Sequence, residues 1–187
     1  MGDNMDTATS PEIVLKFWFE ELEPKDWFMS NDEVDQMITD RFEPLLKSAA
    51  QSELYPWRVT AAGRLAEILV LDQFSRNVYR NTPQAFSQDP LALALAQEAI
   101  GLKLDDELST TEKSFLYMPF MHSESKIIHQ KAVELFSQVG LENNYDFEIK
   151  HKVIIDKFGR YPHRNAILGR ESTAEEIEFL KQPNSSF

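Results

Sequence analysis

The sequence predicts an all-α protein of about eight helices, stacked as antiparallel hairpins in a degenerate helical-repeat superhelix. Three observations carry that prediction. Apolar residues recur at helical spacing from Pro11 to Lys181, and no alternating strand run or two-residue hairpin signal interrupts them. Cap-and-breaker signals divide the chain into segments of helical length joined by short loops. Finally, the stretch ILVLDQFSRNVYRN (residues 68–81) returns 84 positions later as KVIIDKFGRYPHRN (residues 152–165), as duplicated helical units would.

Each helix has its own reason. Ser10 and Pro11 open the first, whose stripe is Ile13, Val14, Phe17, Trp18 and Leu22, and Pro24 closes it. Trp27 and Phe28 then follow as expected core plugs. Asn31 caps a helix to about Gln51, in which Pro44 predicts a kink or a split. The turn Tyr55-Pro56-Trp57 precedes a helix from Val59 to about Ser75, which is apolar nearly all round and is therefore an inner helix. Asp72 and Arg76 continue one apolar face of it, so both are expected to be at least partly desolvated. Asp89-Pro90 starts a helix to about Lys103, and Ser109-x-x-Glu112 is a capping box for one ended by Pro119. Ser123 is the expected cap of an amphipathic helix carrying Ile128, Ala132, Leu135, Phe136 and Val139, stopped at Gly140. Asp146 begins the helix of the second copy, which Gly159 and Pro162 break. Ser172 and Thr173 open a last helix to about Lys181. Residues 10–182 are thus read as one helical domain, between a disordered 1–9 and a flexible 183–187.

Composition narrows the function classes. Hydrophobic residues make up 42% of the 187, with thirteen Phe, five Tyr and three Trp, enough for a sizeable core. Without cysteine there is no disulfide, no thiolate catalysis and no Cys-based metal site, which fits a reducing, cytoplasmic setting. A net charge of −12 sets the chain against phosphate backbones and anionic membrane surfaces, so neither nucleic acid nor membrane is expected as a partner. The opening MGDNMDTATS has no signal-peptide pattern, and Asp6 stands where myristoylation wants Ser or Thr. Oligomeric state is not legible.

The repeat carries the chemistry. Both copies read D-x-F-x-R-x-x-x-R-N, giving Asp72, Arg76, Arg80 and Asn81 in the first and Asp156, Arg160, Arg164 and Asn165 in the second. If the copies face one hollow, the four arginines form an anion clamp, since a guanidinium donates two parallel hydrogen bonds and stays charged. The bland alternative is scaffold: Asp72–Arg76 and Asp156–Arg160 have the i,i+4 spacing of local ion pairs. Near the Ser123 cap, His122 and Glu124 are candidate acid–base groups, and His163 in the Gly- and Pro-broken second copy is another. The histidines (His122, His129, His151, His163) lack the H-x-x-x-H spacing, so no metal is expected. No phosphate loop, dinucleotide fingerprint or nucleophile elbow is present, and no cofactor is expected.

Four blocks, VLKFWFEEL, AGRLAEILVLDQFSRNVYR, FLYMPFMHSE and KVIIDKFGRYPHRNAILGR, span Val14 to Arg170. On them the chain resembles the uncharacterised bacterial family catalogued as domain of unknown function 924. The resemblance implies a tetratricopeptide-like helical fold, although the W-x2-L-G-x2-Y pattern of tetratricopeptides is absent, and it implies no established activity. Three readings follow. The first is a binding module for an anionic ligand, either a peptide carboxylate or a small phosphorylated or carboxylated metabolite. The second is an enzyme of unrecognised type using His122, Glu124 or His163. The third is a structural or assembly protein whose arginines only fasten hairpins.

Overall fold

The computed structural model describes residues 9–187; the first eight residues, and with them most of the expected disordered start, lie outside the described part. Within it the chain is helical throughout, and no strand occurs among the described residues. Nine helices are described: α1 (Pro11–Lys16, continued as a π turn Phe17–Glu21), α2 (Asp32–Ala50), α3 (Ala61–Leu69, a π turn Val70–Phe74, then Ser75–Val78), α4 (Asp89–Gly101), α5 (Thr110–Met121), α6 (Lys126–Phe136), α7 (Glu142–Phe158), α8 (Asn165–Leu168) and α9 (Ala174–Leu180). Short 3₁₀ turns fill several of the connections.

The inner helix is α3. Every residue from Gly63 to Ser75 is buried, and α1, α2, α4 and α5 all pack on it. Its approach to the preceding loop explains Gly63, where an added Cβ would lie 1.9 Å from the Trp57 carbonyl oxygen. An aromatic cluster closes one side of the core: Phe17, Phe42 and Phe74 meet at 4.9–6.1 Å between ring centroids. Downstream, α6 packs between α5 and α7, and a small second cluster forms around Ile154, Ile155 and Tyr161.

Local chemistry sets most boundaries as expected and shifts a few. Asn31 accepts hydrogen bonds from the Glu33 and Val34 amides, and Ser109 and Thr173 close capping boxes with Glu112 and Glu176. Gly159 ends α7 in the left-handed conformation, at φ 69°. Pro44 and Pro119, in contrast, sit inside unbroken helices. The Ser123 expectation is corrected by two residues: Ser125 caps α6 by accepting from the Ile128 amide, while Ser123 Oγ accepts from the Ser125 amide. Val139 lies beyond the end of α6 and is exposed, and Phe28 is exposed rather than a core plug. α7 begins at Glu142, one turn before Asp146. No helix among the described residues is long and apolar enough to cross a membrane.

Candidate functional site

The π turn in α3 builds the site. One extra residue in the helical repeat places Asp72 entirely inside the protein, and such bulges recur at functional positions. The side chain of His122, at the C-terminal end of α5, comes to meet it: Nδ1 lies 2.7 Å from Asp72 Oδ1. Gln73 Nε2 donates to the second carboxylate oxygen at 2.8 Å. Arg76 Nη1 donates to the Asp72 carbonyl at 2.9 Å and lies 3.4 Å from Oδ1. Burial pushes the Asp72 carboxyl up, but His122, Arg76 and the hydrogen bonds outweigh burial and hold it below its ordinary range. A carboxylate on Nδ1 fixes the proton there, so the neutral imidazole keeps its lone pair on Nε2.

His122 lies on the wall of a hollow of about 720 Å³, with Asp72 buried behind it, a size within the range of small-molecule sites. Phe115, Met118 and Met121 supply apolar lining, and Trp27, Phe28, Phe147 and Phe187 also border it. Gln73, Arg76, Arg80, His122, His151, His163 and Arg164 bring polar groups. His122, Phe86 and Arg164 also line a smaller hollow of about 340 Å³, so they stand between the two.

The arginines divide. Arg76 clamps Asp89 through two hydrogen bonds of 2.7 and 2.9 Å; burial works against its charge, but Asp89 and Asp72 hold its pKa above the ordinary value. Arg80 is engaged with Asp35 at 2.5 and 2.8 Å, and Asn77 braces the same carboxylate. Arg164 differs from both. It is buried, its only side-chain hydrogen bond among the described residues runs from Nη2 to the His122 carbonyl at 3.0 Å, and its nearest carboxylate is the already clamped Asp89 at 3.7 Å. Its Nε is buried without a partner. The guanidinium instead stacks against the Phe86 and Tyr161 rings, 4.6 Å from each centroid. Burial, then the neighbouring Arg76 charge, pull its pKa down.

The second copy does not complete a four-arginine clamp. Arg160 leaves the hollow and forms a bidentate pair with Glu176 at 2.7 and 2.8 Å. Asp156 is exposed and pairs with Lys152, so the expected Asp156–Arg160 pair does not form. Asn165 binds Glu176, Ser172 and Arg170, and Asn81 is an exposed loop residue at φ 62°. The physical reason is that Gly159 ends α7 just where α3 continues, so the trailing Arg and Asn of the two copies stand on different backbones. Arg76, Arg80 and Arg164 are therefore the repeat arginines brought to one hollow.

Among the acid–base candidates, Glu124 is immobilised. Arg170 clamps it at 2.8 and 2.9 Å and the Tyr161 amide donates to it at 2.7 Å; these contacts overcome burial and keep its carboxyl below the ordinary range. His163 is half-buried with its Nδ1 atom buried and unpartnered, and burial and Arg164 lower its pKa to about 4. Burial likewise lowers His151 to about 3, with Nδ1 spent on the Phe147 carbonyl at 2.7 Å. For His122, burial and then Arg76 outweigh Asp72 and lower its pKa. All three imidazoles of the hollow are thus neutral near pH 7. Beneath them His129 and Glu148 form a fully buried pair at 2.6 Å, and Tyr161 donates its hydroxyl to the Met121 carbonyl at 2.5 Å. Among the described residues no three His, Cys, Asp or Glu side chains are grouped to hold a metal.

Asp89, Asp35, Gln73 and His151 were not legible as site residues. Asp89 was masked by its good fit as a helix start before Pro90. Asp35 reaches Arg80 only through the packing of α2 on α3. His151 does carry a signal, four residues before Ile155 on the buried side of its helix, yet buried histidines are commonly structural.

The same architecture recurs elsewhere. A solved structure described as a protein of unknown function, ATU0120 from Agrobacterium tumefaciens, shares 38% identity, covers 94% of this chain and 99% of its own, and superposes with a TM-score of 0.88. No curated protein matches the chain. The family model described as "Bacterial protein of unknown function (DUF924)" matches residues 14–184. With nearly every described helix inside that match, the chain belongs to this family.

Proposed function

We propose that the hollow binds a small amphipathic anion, a carboxylate or a phosphate with an apolar body. The observation that carries this reading is Arg164. A guanidinium has five N–H donors, yet this one is buried with one hydrogen bond, to a carbonyl, and a carboxylate no closer than 3.7 Å. Buried donors ordinarily find partners, and the faces of this group are already stacked on aromatic rings while its edges remain unfilled. Selection would rest on hydrogen bonds more than on net charge, because Arg76 and Arg164 stand opposite Asp72 and Asp89. The apolar lining accepts the body of the ligand.

Thermal-shift screening against aryl and acyl carboxylates and phosphates tests the reading. A ligand specific for the native state raises the melting temperature with its concentration. Selected anions are expected to do so for the natural chain and not for Arg164→Gln, whereas Arg80→Ala, whose guanidinium already has its own carboxylate, retains most of the effect. No stabilisation by any anion, or equal stabilisation of Arg164→Gln, would overturn it.

A further inference from the structure

Building on the anion site, we propose that His122, oriented by Asp72, is a general base that activates water to hydrolyse an ester of an amphipathic acid bound in the hollow. Several features of the structure meet in this pair. Asp72 is fully buried and fixed on both oxygens, by His122 Nδ1 at 2.7 Å and Gln73 Nε2 at 2.8 Å. It therefore sets the tautomer and ring orientation and can stabilise an imidazolium without itself taking the proton. The opposite nitrogen, Nε2, makes no hydrogen bond among the described residues, and His122 lines both hollows. Burial and Arg76 keep the ring neutral, with the Nε2 lone pair open to accept a proton. Arg164 is tied to the same residue through the His122 carbonyl, so anion anchor and base share one support.

Among the described residues no seryl or threonyl hydroxyl is hydrogen-bonded to His122, and the chain has no cysteine, which points to water as the nucleophile. The water proton passes to Nε2 as its oxygen bonds to the ester carbonyl carbon, and negative charge develops on the carbonyl oxygen in the field of Arg76 and Arg164. Collapse breaks the carbon–oxygen bond to the leaving alcohol, which takes the proton back from Nε2. Ester plus water gives acid plus alcohol, with no redox partner. An acyl carbon suits this arrangement better than a phosphate dianion, which would repel a hydroxide-like nucleophile.

The test compares an anionic ester, mono-4-nitrophenyl succinate, with the neutral 4-nitrophenyl butyrate, and measures binding of succinate and 3-phenylpropionate by calorimetry. Saturable turnover favouring the anionic ester is expected, with a rate that rises through a single ionisation below the ordinary 6.5 of histidine. His122→Gln should lose roughly 100-fold or more, the usual contribution of a positioned base. Asp72→Asn should lower kcat and displace the pH profile while leaving KM nearly unchanged, which a merely structural role would not do. Binding of the acids without turnover, or an unchanged rate in folded His122→Gln, would overturn the base and leave the anion site standing. Equal, His122-dependent turnover of both esters without binding of either acid would overturn the anion site and leave the base.

Discussion

Replacing Asp72 with alanine is the most direct perturbation of this architecture. The substitution strips the acceptor from His122 Nδ1, from Gln73 Nε2 and from the 3.4 Å contact with Arg76, all inside the protein. Removing one partner of a buried charge pair costs about 3–5 kcal/mol when the other charge is stranded. Arg76 is not stranded, because its bidentate grip on Asp89 and its bond to the Asp72 carbonyl survive. The lower end, about 3 kcal/mol, is therefore expected, with the cost arising from two orphaned donors and a lost counter-charge. For a chain of this size each kcal/mol lowers the melting temperature by about 2–4 °C, so Asp72→Ala should melt about 6–12 °C early. Asp72→Asn keeps the shape and one acceptor for His122, and should cost about 1–2 kcal/mol. Thermal melts followed by circular dichroism at pH 7 check both. A fall of less than about 1 °C for Asp72→Ala, or a larger fall for Asn than for Ala, would refute the account of Asp72 as a buried, multiply bonded carboxylate.

Other outcomes follow from the same contacts. Arg160 and the Thr173 cap hold the Glu176 carboxyl at about 2 against an ordinary 4.5; a lowered native pKa contributes stability above 4.5 that is lost as pH falls towards 2, about 3 kcal/mol in all. Glu176→Gln should flatten that acid limb of the stability profile, and an unchanged limb would refute the pairing. Gly63→Ala drives a Cβ to 1.9 Å from the Trp57 carbonyl, so denaturant unfolding should show a loss of about 1–3 kcal/mol from overpacking, whereas Gly101→Ala, with nothing within 4 Å, should show none. Burial raises the Glu148 pKa, and His129 Nε2 is committed to the Ser123 carbonyl at 2.7 Å, so the pair must share a proton between Nδ1 and the carboxyl. A raised native pKa contributes stability that is complete below 4.5 and lost as pH rises through the native value. Glu148→Gln, with a permanent N–H in that place, should remove this decline, and identical profiles for the two proteins would refute the shared proton.

What could be read from the sequence was what local chemistry decides. Asn31, Ser109, Thr173 and Gly159 terminate helices by hydrogen bonds and backbone conformations confined to a few neighbouring residues, so their meaning is visible without a fold. The all-round apolarity of α3 likewise announces an inner helix, and the burial of Asp72 follows from its place on that helix. Pro119 does not end its helix and Pro44 does not split its own, because a proline penalty is local while the packing that holds a helix together is not. The π turns gave no signal at all: a π bulge is an insertion relative to the packing of neighbours, and only those neighbours reveal it.

The repeat shows the same division inside the site. Two copies of D-x-F-x-R-x-x-x-R-N promised equivalent geometry, and the helical half of each, through the shared apolar pair and Phe, does pack inward. The polar half depends on whether the helix goes on. In α3 it continues through the π turn to Val78, and Arg76 stays beside Asp72. In α7 it stops at Gly159, so Arg160 turns to Glu176 and the chain re-enters at Pro162 with Arg164 buried between Phe86 and Tyr161. At that point the first motif has Ser75 and the second Gly159, with Pro162 following where the first has Val78. That exchange gives up the symmetric pair and leaves Arg164, alone of the repeat arginines, inside the hollow without a carboxylate of its own. The break in the repeat, more than the repeat itself, is what makes the site.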